Sequence, residues 1–308
     1  MEPPDVLVLG DANPDLILRG GDLGPVSSQR EALAESATFT VGGSGAIFAC
    51  AAARLGLRVA FVGVVGGDIF GRFMREELES RGVETEGIVV REGDPTGVSV
   101  VLSRSGDRGT YTVPGTLGAL SAAAIDGTLL VNARHVHASS YFLQRSLAPD
   151  LPGLFHRAHS AGATTSLDPN WDPDEAWDGG LRQLLPLVDL FLPNDEEAAR
   201  ISGADDAETS VAVLAQRVGI VAVKLGDGGS VARRGEEVVR VPRVEVDVAD
   251  TTGAGDAFDA GFVYGVLNDW PLQRTLSLAN VCGALSCRAI GGVDGQATLD
   301  EVMALIGS

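Results

Sequence analysis

Short apolar runs alternate with amphipathic helical patterns along most of this chain. We predict six of the runs as strands: residues 6–9, 59–65, 135–138, 164–167, 187–192 and 220–225. Four of the runs, 6–9, 59–65, 187–192 and 220–225, are almost continuously apolar, which is typical of a parallel sheet whose two faces are both covered by helices. The alternation therefore predicts an α/β fold built around a largely parallel central sheet.

Two pairs of segments interrupt this alternation. Residues 15–19 with 38–41, and residues 97–103 with 110–113, are short strand-like pieces connected by turns such as Ser105-Gly106-Asp107. We predict that they form a small β-sheet appended to the main sheet. Such a sheet is suited to cover a cleft as a lid.

The chain has enough apolar sequence for one sizeable core, because 45% of its 308 residues are hydrophobic. We expect a single domain over residues 1–308, with lid segments at about 14–41 and 95–115 inserted in it. The formal net charge of -19 would repel nucleic acid and anionic membrane surfaces, so we expect neither as a partner.

The three cysteines, Cys50, Cys282 and Cys287, are odd in number and contain no Cys-x-x-Cys pair. Buried thiols in a reducing compartment fit this usage better than disulfides or zinc. No basic segment leads into an apolar one at the N-terminus, and no apolar run reaches transmembrane length. The expected location is the cytoplasm.

The stretch from Asp250 to Phe258 joins a turn of small residues to a carboxylate. Gly253 and Gly255 let backbone N–H groups approach an anion, and the apolar run that follows, residues 258–267, is predicted as a helix whose N-terminus points at the same place. Asp256 would lie in the first turn, where it could accept the proton of an attacking hydroxyl. This pairing suits phosphoryl transfer. An ordinary aspartate-capped helix after a glycine turn is the structural alternative.

Two further positions follow predicted strands. Asn194 and Glu197 begin a helix, where an amide and a carboxylate could serve as a cap or hold hydrated Mg²⁺ through water. Lys224, the only lysine of the chain, ends a strand before a glycine-rich loop. Strand ends followed by such loops are where α/β sheets bind ligands.

Several other chemistries fail on spacing. A P-loop is excluded because the only lysine is followed by leucine, and the segment beginning at Asp168 has Pro173 where a calcium loop requires glycine. His135 with His137, and His156 with His159, could pair on a metal. Hydrogen-bonded or surface histidines are the preferred interpretation of both pairs.

The ordered set of motifs resembles the ribokinase-like (PfkB) carbohydrate kinases over essentially the whole chain. The motifs are Asn13-x-Asp15, Gly42-Gly43 with a helix ending Arg54-Leu55-Gly56, Gly63-x-x-Gly66-x-Asp68-x-x-Gly71, Pro95-Thr96-Gly97, Asn194-x-x-Glu197, Lys224-Leu225-Gly226-x-x-Gly229, and Asp250-Thr251-x-Gly253-Ala254-Gly255-Asp256. The resemblance implies a three-layer α/β/α core with a small β lid, ATP as donor, Mg²⁺, and transfer to a sugar-type hydroxyl. It also implies a homodimer through the lid.

The same resemblance implies roles for individual residues. Asp256 would be the general base, and Gly253, Ala254, Gly255 and Asp256 would form the anion hole. The nucleotide would lie against Asn194, Lys224, Gly226, Gly229, Thr251 and Asn280, and the acceptor against Asn13, Asp15, Gly42, Gly43, Ile47 and Asn170. Glu197 would hold Mg²⁺ through water, and Asp250 would lie near a monovalent cation such as K⁺.

Two positions depart from the family pattern. Ile47 stands where an asparagine usually hydrogen-bonds the sugar, and Asp172 stands where several sugar-acid kinases carry arginine. Asp172 would repel an acid that it faced, which favours a neutral polyol or modified sugar as acceptor. Ile47 either shapes acceptor choice or packs in the core.

The sequence therefore predicts an ATP- and Mg²⁺-dependent small-molecule kinase. In the expected mechanism, a substrate hydroxyl attacks in line while Asp256 takes its proton. A nucleoside kinase of the same fold is the alternative enzyme. A catalytically weak ligand-binding or regulatory relative is the alternative from another class.

Overall fold

The computed structural model describes residues 2–20, 23, 31–104 and 107–307. Over these residues the chain forms fifteen strands and ten α-helices. The strands are β1 Val6–Leu9, β2 Asn13–Arg19, β3 Ser36–Gly42, β4 Val59–Val62, β5 Val64–Gly66, β6 Val83–Glu84, β7 Val89–Arg91, β8 Val98–Arg104, β9 Asp107–Val113, β10 His135–Ala138, β11 Thr164–Leu167, β12 Leu190–Phe191, β13 Ile220–Lys224, β14 Ser230–Arg234 and β15 Glu237–Val241. The helices are α1 Ser44–Arg54, α2 Ile69–Ser80, α3 Gly127–Asn132, α4 Leu151–Ser160, α5 Leu181–Leu184, α6 Asp195–Ser202, α7 Ala207–Leu214, α8 Ala254–Leu267, α9 Leu272–Ser286 and α10 Leu299–Ile306.

The main sheet has nine strands in the order β15-β14-β13-β12-β11-β10-β1-β4-β6. The seven strands from β13 to β6 run parallel, and β14 and β15 add an antiparallel hairpin at one edge. Since parallel strands end at the same edge of a sheet, the residues that follow β1, β11 and β13 are brought together. This edge is where a ligand site is expected.

Helices cover both faces of the main sheet, which confirms the predicted three-layer α/β/α core. Alternate residues of β1 show the two sides: Val6 and Val8 pack into one buried cluster with α1, α8 and α9, whereas Leu7 and Leu9 pack into the other with α3, α4 and α7. The nearly continuous apolar strands of the sequence follow from this double burial.

Three of the predicted strands, 6–9, 135–138 and 164–167, are confirmed without change of bounds. The run 59–65 is instead two strands, because Gly63 lies so close to the Gly10 carbonyl, 2.8 Å from the position of a Cβ, that the chain bends there. The run 187–192 shrinks to Leu190–Phe191, since a 3₁₀ turn over Leu185–Leu187, which contains Pro186, comes just before it. The sixth strand ends one residue early, at Lys224.

A second sheet of four strands, in the order β3-β2-β8-β9, lies apart from the main sheet. It confirms the predicted β-structure over residues 15–19, 38–41, 97–103 and 110–113. The parts of the lid segments at 21–22, 24–30 and 105–106 lie outside the described residues. No helix in the described part of the chain is long and apolar enough to cross a membrane.

The histidine pair on β10 belongs to the core. His135 hydrogen-bonds Thr164 Oγ1 through Nδ1 and Ser166 Oγ through Nε2, each at 2.7 Å. His137 Nδ1 lies 2.7 Å from the same Ser166 hydroxyl, and its ring stacks on Phe48 with centroids 3.7 Å apart. Burial lowers the pKa of both imidazoles to about 3, so they are neutral. These contacts account for both rings without a metal.

Candidate functional site

A cleft of about 740 Å³ opens at the carboxyl edge of the main sheet. Twelve of the residues predicted for the site line it: Asn170, Asn194, Glu197, Lys224, Gly226, Gly229, Thr251, Gly253, Ala254, Gly255, Asp256 and Asn280. The other six, Asn13, Asp15, Gly42, Gly43, Ile47 and Asp250, are not among its lining residues. The tertiary structure therefore collects residues that are up to 110 positions apart in the sequence into one cavity.

The turn before α8 is held in shape by Asp250. Its Oδ1 accepts hydrogen bonds from the N–H and hydroxyl of Thr252 at 3.0 and 2.9 Å, and its Oδ2 accepts one from the Gly291 N–H at 3.0 Å. Gly253 has φ 76°, and a Cβ there would lie 2.7 Å from Gly292 Cα, so only glycine fits. The helix begins at Ala254, four residues earlier than the apolar run predicted.

Asp256 lies in the first turn of α8, partly exposed to the cleft, as the sequence predicted. Burial, reinforced by the nearby Asp168 carboxylate, raises its pKa to about 8. A hydrogen bond with Ser44 and the charge of Lys224 oppose this rise but do not cancel it. A carboxyl group with this pKa is suited to accept a proton near neutral pH.

Lys224 is tied to two buried carboxyl groups. Its Nζ lies 2.8 Å from Asp168 Oδ2 and 3.1 Å from both carboxyl oxygens of Asp259. Its side chain is 14% exposed, and those of Asp168 and Asp259 are 8% and 1% exposed. Lys224 still lines the cleft, as predicted, but its ammonium group contacts the two buried carboxyl groups.

Asn194 and Glu197 form a capping box at the start of α6. Asn194 Oδ1 accepts from the Glu197 N–H, and Glu197 Oε2 accepts from the Asn194 N–H, both at 2.9 Å. Burial, with the Asp168 carboxylate adding to it, raises the pKa of Glu197 to about 7. The predicted cap is confirmed, and both side chains still line the cleft.

Asn13, Asp15, Gly42 and Gly43 meet where the second sheet approaches the start of α1. The Asp15 carboxylate lies 2.0 Å from the position of a Cβ on Gly42, so a side chain there would displace it. Gly43 has φ 82° at the N-terminus of α1. Asn13 Nδ2 donates to Asp15 Oδ1 and to Ser99 Oγ, each at 3.2 Å.

Two hydroxyl side chains extend the hydrogen bonds of Asn13 across the second sheet. Ser99 Oγ lies 3.0 Å from Thr112 Oγ1, so Asn13, Ser99 and Thr112 link β2, β8 and β9. Sequence analysis missed both hydroxyl residues. Their alternation with apolar neighbours on the two strands was the available signal.

A second set of polar residues connects Asn170, which is predicted to bind the acceptor, with Asp256. Asn170 Nδ2 donates to Ser140 Oγ at 3.1 Å and to Ser44 Oγ at 3.4 Å, and Ser44 hydrogen-bonds Asp256. Asp11 Oδ1 accepts from the Gly45 N–H at 3.0 Å. Asp11 and Ser140 were missed, although each follows a strand of the main sheet within two residues of its end.

Asn280 and Gly229 shape the far side of the cleft. Asn280 Nδ2 donates to the carbonyls of Val241 and Pro242 at 3.3 and 2.9 Å, which fastens α9 to the end of β15. Gly229 has φ 81°, and a Cβ there would lie 2.1 Å from the Val241 carbonyl. The glycine loop therefore turns tightly beside this segment.

The two departures from the family pattern both point inward. Ile47 is 3% exposed, and its side chain lies against the backbone of Gly253 and Gly292. Asp172 accepts from the N–H groups of Asp174 and Trp177 at 3.0 and 2.7 Å, so its carboxylate caps its own loop. Because the Asp172 carboxylate is turned into its own loop, the argument that it would repel an acidic acceptor loses its basis.

Several known proteins resemble this chain in sequence and in fold. The chain is 35% identical over 305 residues to an ATP-dependent ribose-1-phosphate kinase of Halopiger xanaduensis, covering 98% of this chain and 97% of that protein. Among solved structures, a ribokinase-II-like protein of E. coli in complex with ATP and Mg²⁺ superposes with a TM-score of 0.85 at 26% identity, over 99% of each chain. The adenosine kinase of Sinorhizobium meliloti gives a TM-score of 0.86 at 25% identity, again over 99% of each chain. Residues 3–298 match the pfkB family of carbohydrate kinases, and the chain belongs to that family.

Proposed function

We propose that this carbohydrate kinase transfers the γ-phosphoryl group of ATP to a hydroxyl group of a sugar or sugar-like small molecule. The observation that carries the proposal is Asp256. Its carboxyl group lies in the first turn of α8, faces the cleft, and has a pKa raised to about 8 by burial and by Asp168. A general base needs this position and this proton affinity.

The turn from Gly253 to Asp256 supplies the second requirement. Its backbone N–H groups lie at the N-terminus of α8, where the helix dipole favours negative charge. Donors fixed in this way stabilise charge on the transferring phosphoryl group without reorganising during the reaction. Asp256 would take the proton of the acceptor hydroxyl while the turn holds the phosphoryl oxygens.

The far part of the cleft has room for the nucleotide, between Gly226, Gly229, Thr251 and Asn280. Asn194 and Glu197 line the same cleft, and their side chains carry oxygen atoms, the ligands that Mg²⁺ prefers. Glu197 would hold Mg²⁺ through water, and the ion would neutralise charge on the phosphate groups. The E. coli neighbour solved with ATP and Mg²⁺ supports these two ligands for the proposal.

A monovalent cation beside Asp250 is part of the same proposal. Asp250 shapes the anion-hole turn through Thr252 and Gly291, so an ion there would act on the turn rather than on substrate. Activation by K⁺ over Na⁺ at equal ionic strength would support it.

The acceptor is proposed to lie against Asn13, Asp15, Gly42, Gly43 and Asn170. Asp15 and Asn13 offer an acceptor and a donor for sugar hydroxyls. The relative that is 35% identical makes ribose 1-phosphate the first acceptor to test. A nucleoside is the second candidate, favoured by the likeness to an adenosine kinase. A ligand-binding relative without activity is the third possibility, and the intact Asp256 and anion-hole turn speak against it.

The purified protein should be tested with ATP and Mg²⁺ against ribose 1-phosphate, ribose, fructose, 2-dehydro-3-deoxygluconate and adenosine. We expect acceptor-dependent ADP formation with at least one phosphate-bearing or free sugar, and a rate lower by about a hundredfold or more with the Asp256→Asn variant. ADP formation with adenosine alone would select the nucleoside kinase. Absence of transfer to every acceptor, in protein shown to bind ATP, would support the ligand-binding alternative.

We further propose that the second sheet is a lid that closes over the acceptor, because a phosphoryl-transfer cleft must exclude water. Hydrogen exchange at residues 14–20, 31–41 and 95–104 should slow when acceptor and a non-hydrolysable nucleotide are both bound. Unchanged exchange would contradict a lid. A homodimer through this sheet, also expected from the family, would appear as twice the monomer mass in light scattering.

A further inference from the structure

Three buried residues beneath the cleft form one connected network. Lys224 ends β13, Asp168 follows β11 directly, and Asp259 lies on α8. The Lys224 ammonium contacts both carboxyl groups at 2.8 to 3.1 Å, and Asp259 also hydrogen-bonds Asp168. Two strand ends and the first turns of one helix are therefore fastened at a single point.

The network reaches Asp256 from two directions. Asp259 is three residues after Asp256, so both side chains lie on the same side of α8. On the other side, Asp168 Oδ1 accepts from the Asn170 N–H at 2.8 Å, and the Asn170 amide contacts Ser44, which hydrogen-bonds Asp256. The Lys224 side chain also lies beside the turn, because a Cβ on Gly255 would lie 3.6 Å from the Lys224 Nζ.

We propose that Asp168, Lys224 and Asp259 are positioning residues, which hold Asp256 and the anion-hole turn in place for transfer, and that Lys224 acts through this network rather than by binding the nucleotide. The inference rests on the proposed function. It assigns a role to Asp168 and Asp259, and it changes the role that the family resemblance implied for Lys224.

The protonation of the network fits this role. Burial opposes ionisation of Asp168, but the Lys224 charge lowers its pKa below the usual range. Burial raises the pKa of Asp259 well above its usual value, which favours a protonated Asp259 that donates to Asp168. An asparagine at 259 can keep one hydrogen bond to each partner, since its carbonyl accepts from Lys224 and its amide N–H donates to Asp168.

Packed apolar side chains could hold the ends of β11 and β13 against α8 with at least equal stability, because a buried ion pair is often no more stable than a hydrophobic group of similar volume. Retaining an ammonium here places a fixed positive charge beside the turn that would hold phosphoryl oxygens. A small displacement of a reacting group can cost about a hundredfold in rate. We therefore expect the network to affect kcat much more than ATP binding.

The test compares Asp259→Leu, Asp259→Asn and Lys224→Met with the wild type on the best acceptor. Asp259→Leu and Lys224→Met should lower kcat by about a hundredfold, with KM for ATP within about twofold of wild type. Asp259→Asn should stay within about fivefold, because it keeps both hydrogen bonds. If Lys224→Met does not fold, the two Asp259 variants carry the test.

Asp5→Asn is the matched control, since it removes a buried carboxylate with two arginine partners at the opposite edge of the sheet. A higher KM for ATP with unchanged kcat in Lys224→Met would show a nucleotide contact and overturn the inference. A loss of kcat in Asp259→Leu no larger than in Asp5→Asn, at equal loss of melting temperature, would overturn it too. Wild-type protein that transfers to no acceptor would overturn the proposed function, and this inference with it.

Discussion

The two edges of the main sheet hold buried charges in opposite proportions. At the amino edge, Asp5, Arg58 and Arg134 each directly precede a strand, β1, β4 and β10, which are neighbours in the sheet. The buried carboxylate of Asp5 meets both guanidinium groups there, at 2.9 and 3.1 Å, the exposed Glu2 also pairs with Arg58, and both arginines are about half exposed. Asp5, Arg58 and Arg134 are therefore each paired with a group of opposite charge, and the two arginines lie close to solvent.

At the carboxyl edge the proportions are reversed. Four carboxyl groups, those of Asp168, Glu197, Asp256 and Asp259, surround the single ammonium of Lys224. Burial opposes ionisation of these groups and one cation cannot compensate four carboxylates, so the pKa values of Glu197 and Asp256 rise to about 7 and 8. The amino edge is arranged for stability, whereas the carboxyl edge keeps uncompensated groups that can exchange protons.

The largest expected effect is at Asp256. Asp256→Asn keeps the size of the side chain and removes its basicity, so kcat should fall by about a hundredfold to ten-thousandfold. KM for ATP should change little. Steady-state kinetics on the best acceptor measures both, and a variant with near wild-type turnover would show that Asp256 is not the base and that the two edges do not differ in function.

The pH dependence of kcat/KM should follow the raised pKa of Asp256, which has several carboxyl groups near it. Asp256 faces Asp168 and Asp11 from the strand ends, Asp259 on its own helix, and Lys224. Because the base must be unprotonated, kcat/KM should fall about tenfold per pH unit below about 8 and level off above it. A profile of kcat/KM from pH 5 to 9.5 tests this. A limb near pH 4 would mean that burial does not control this carboxyl group.

The amino edge should respond in stability alone. Asp5→Asn weakens contacts with Arg58 and Arg134 and with the Arg58 N–H, and should lower the free energy of unfolding by about 1–2 kcal/mol. Denaturant unfolding measures the loss, and kcat of the same variant should equal that of wild type. A fall in kcat beyond twofold would contradict the separation of the two edges.

The smallest effect is expected at Ile47, an uncharged residue beneath the anion-hole turn. Ile47→Val removes one methylene from the contact with Gly253 and Gly292, and should cost about 0.5–1 kcal/mol of stability. The ratios of kcat/KM among acceptors should not change, since the side chain is buried against backbone. A shift in those ratios would instead make Ile47 a residue that selects the acceptor.

Much of the fold was predictable because burial on both faces leaves a strong sequence pattern. The strands at 6–9, 135–138 and 164–167, the second sheet and the helix that begins near Asp256 all follow from local apolar periodicity and glycine placement. The strands at 59–65 and 187–192 were predicted too long. Apolar residues occur in buried bends and 3₁₀ turns as well as in strands, so an apolar pattern alone does not show where the pairing of a strand ends.

The sequence by itself determined three features: the α/β class, the tight turn that requires glycine at 253, and the carboxylate of Asp256 in the first turn of the helix. Only the tertiary structure decided which distant charges meet. Lys224 pairs with Asp168, 56 residues away, and with Asp259, 35 residues away, and Asp172 turns into its own loop rather than toward the cleft. Local patterns report burial and backbone conformation, whereas a carboxyl group's proton affinity depends on neighbours that only the folded chain brings within a few ångströms.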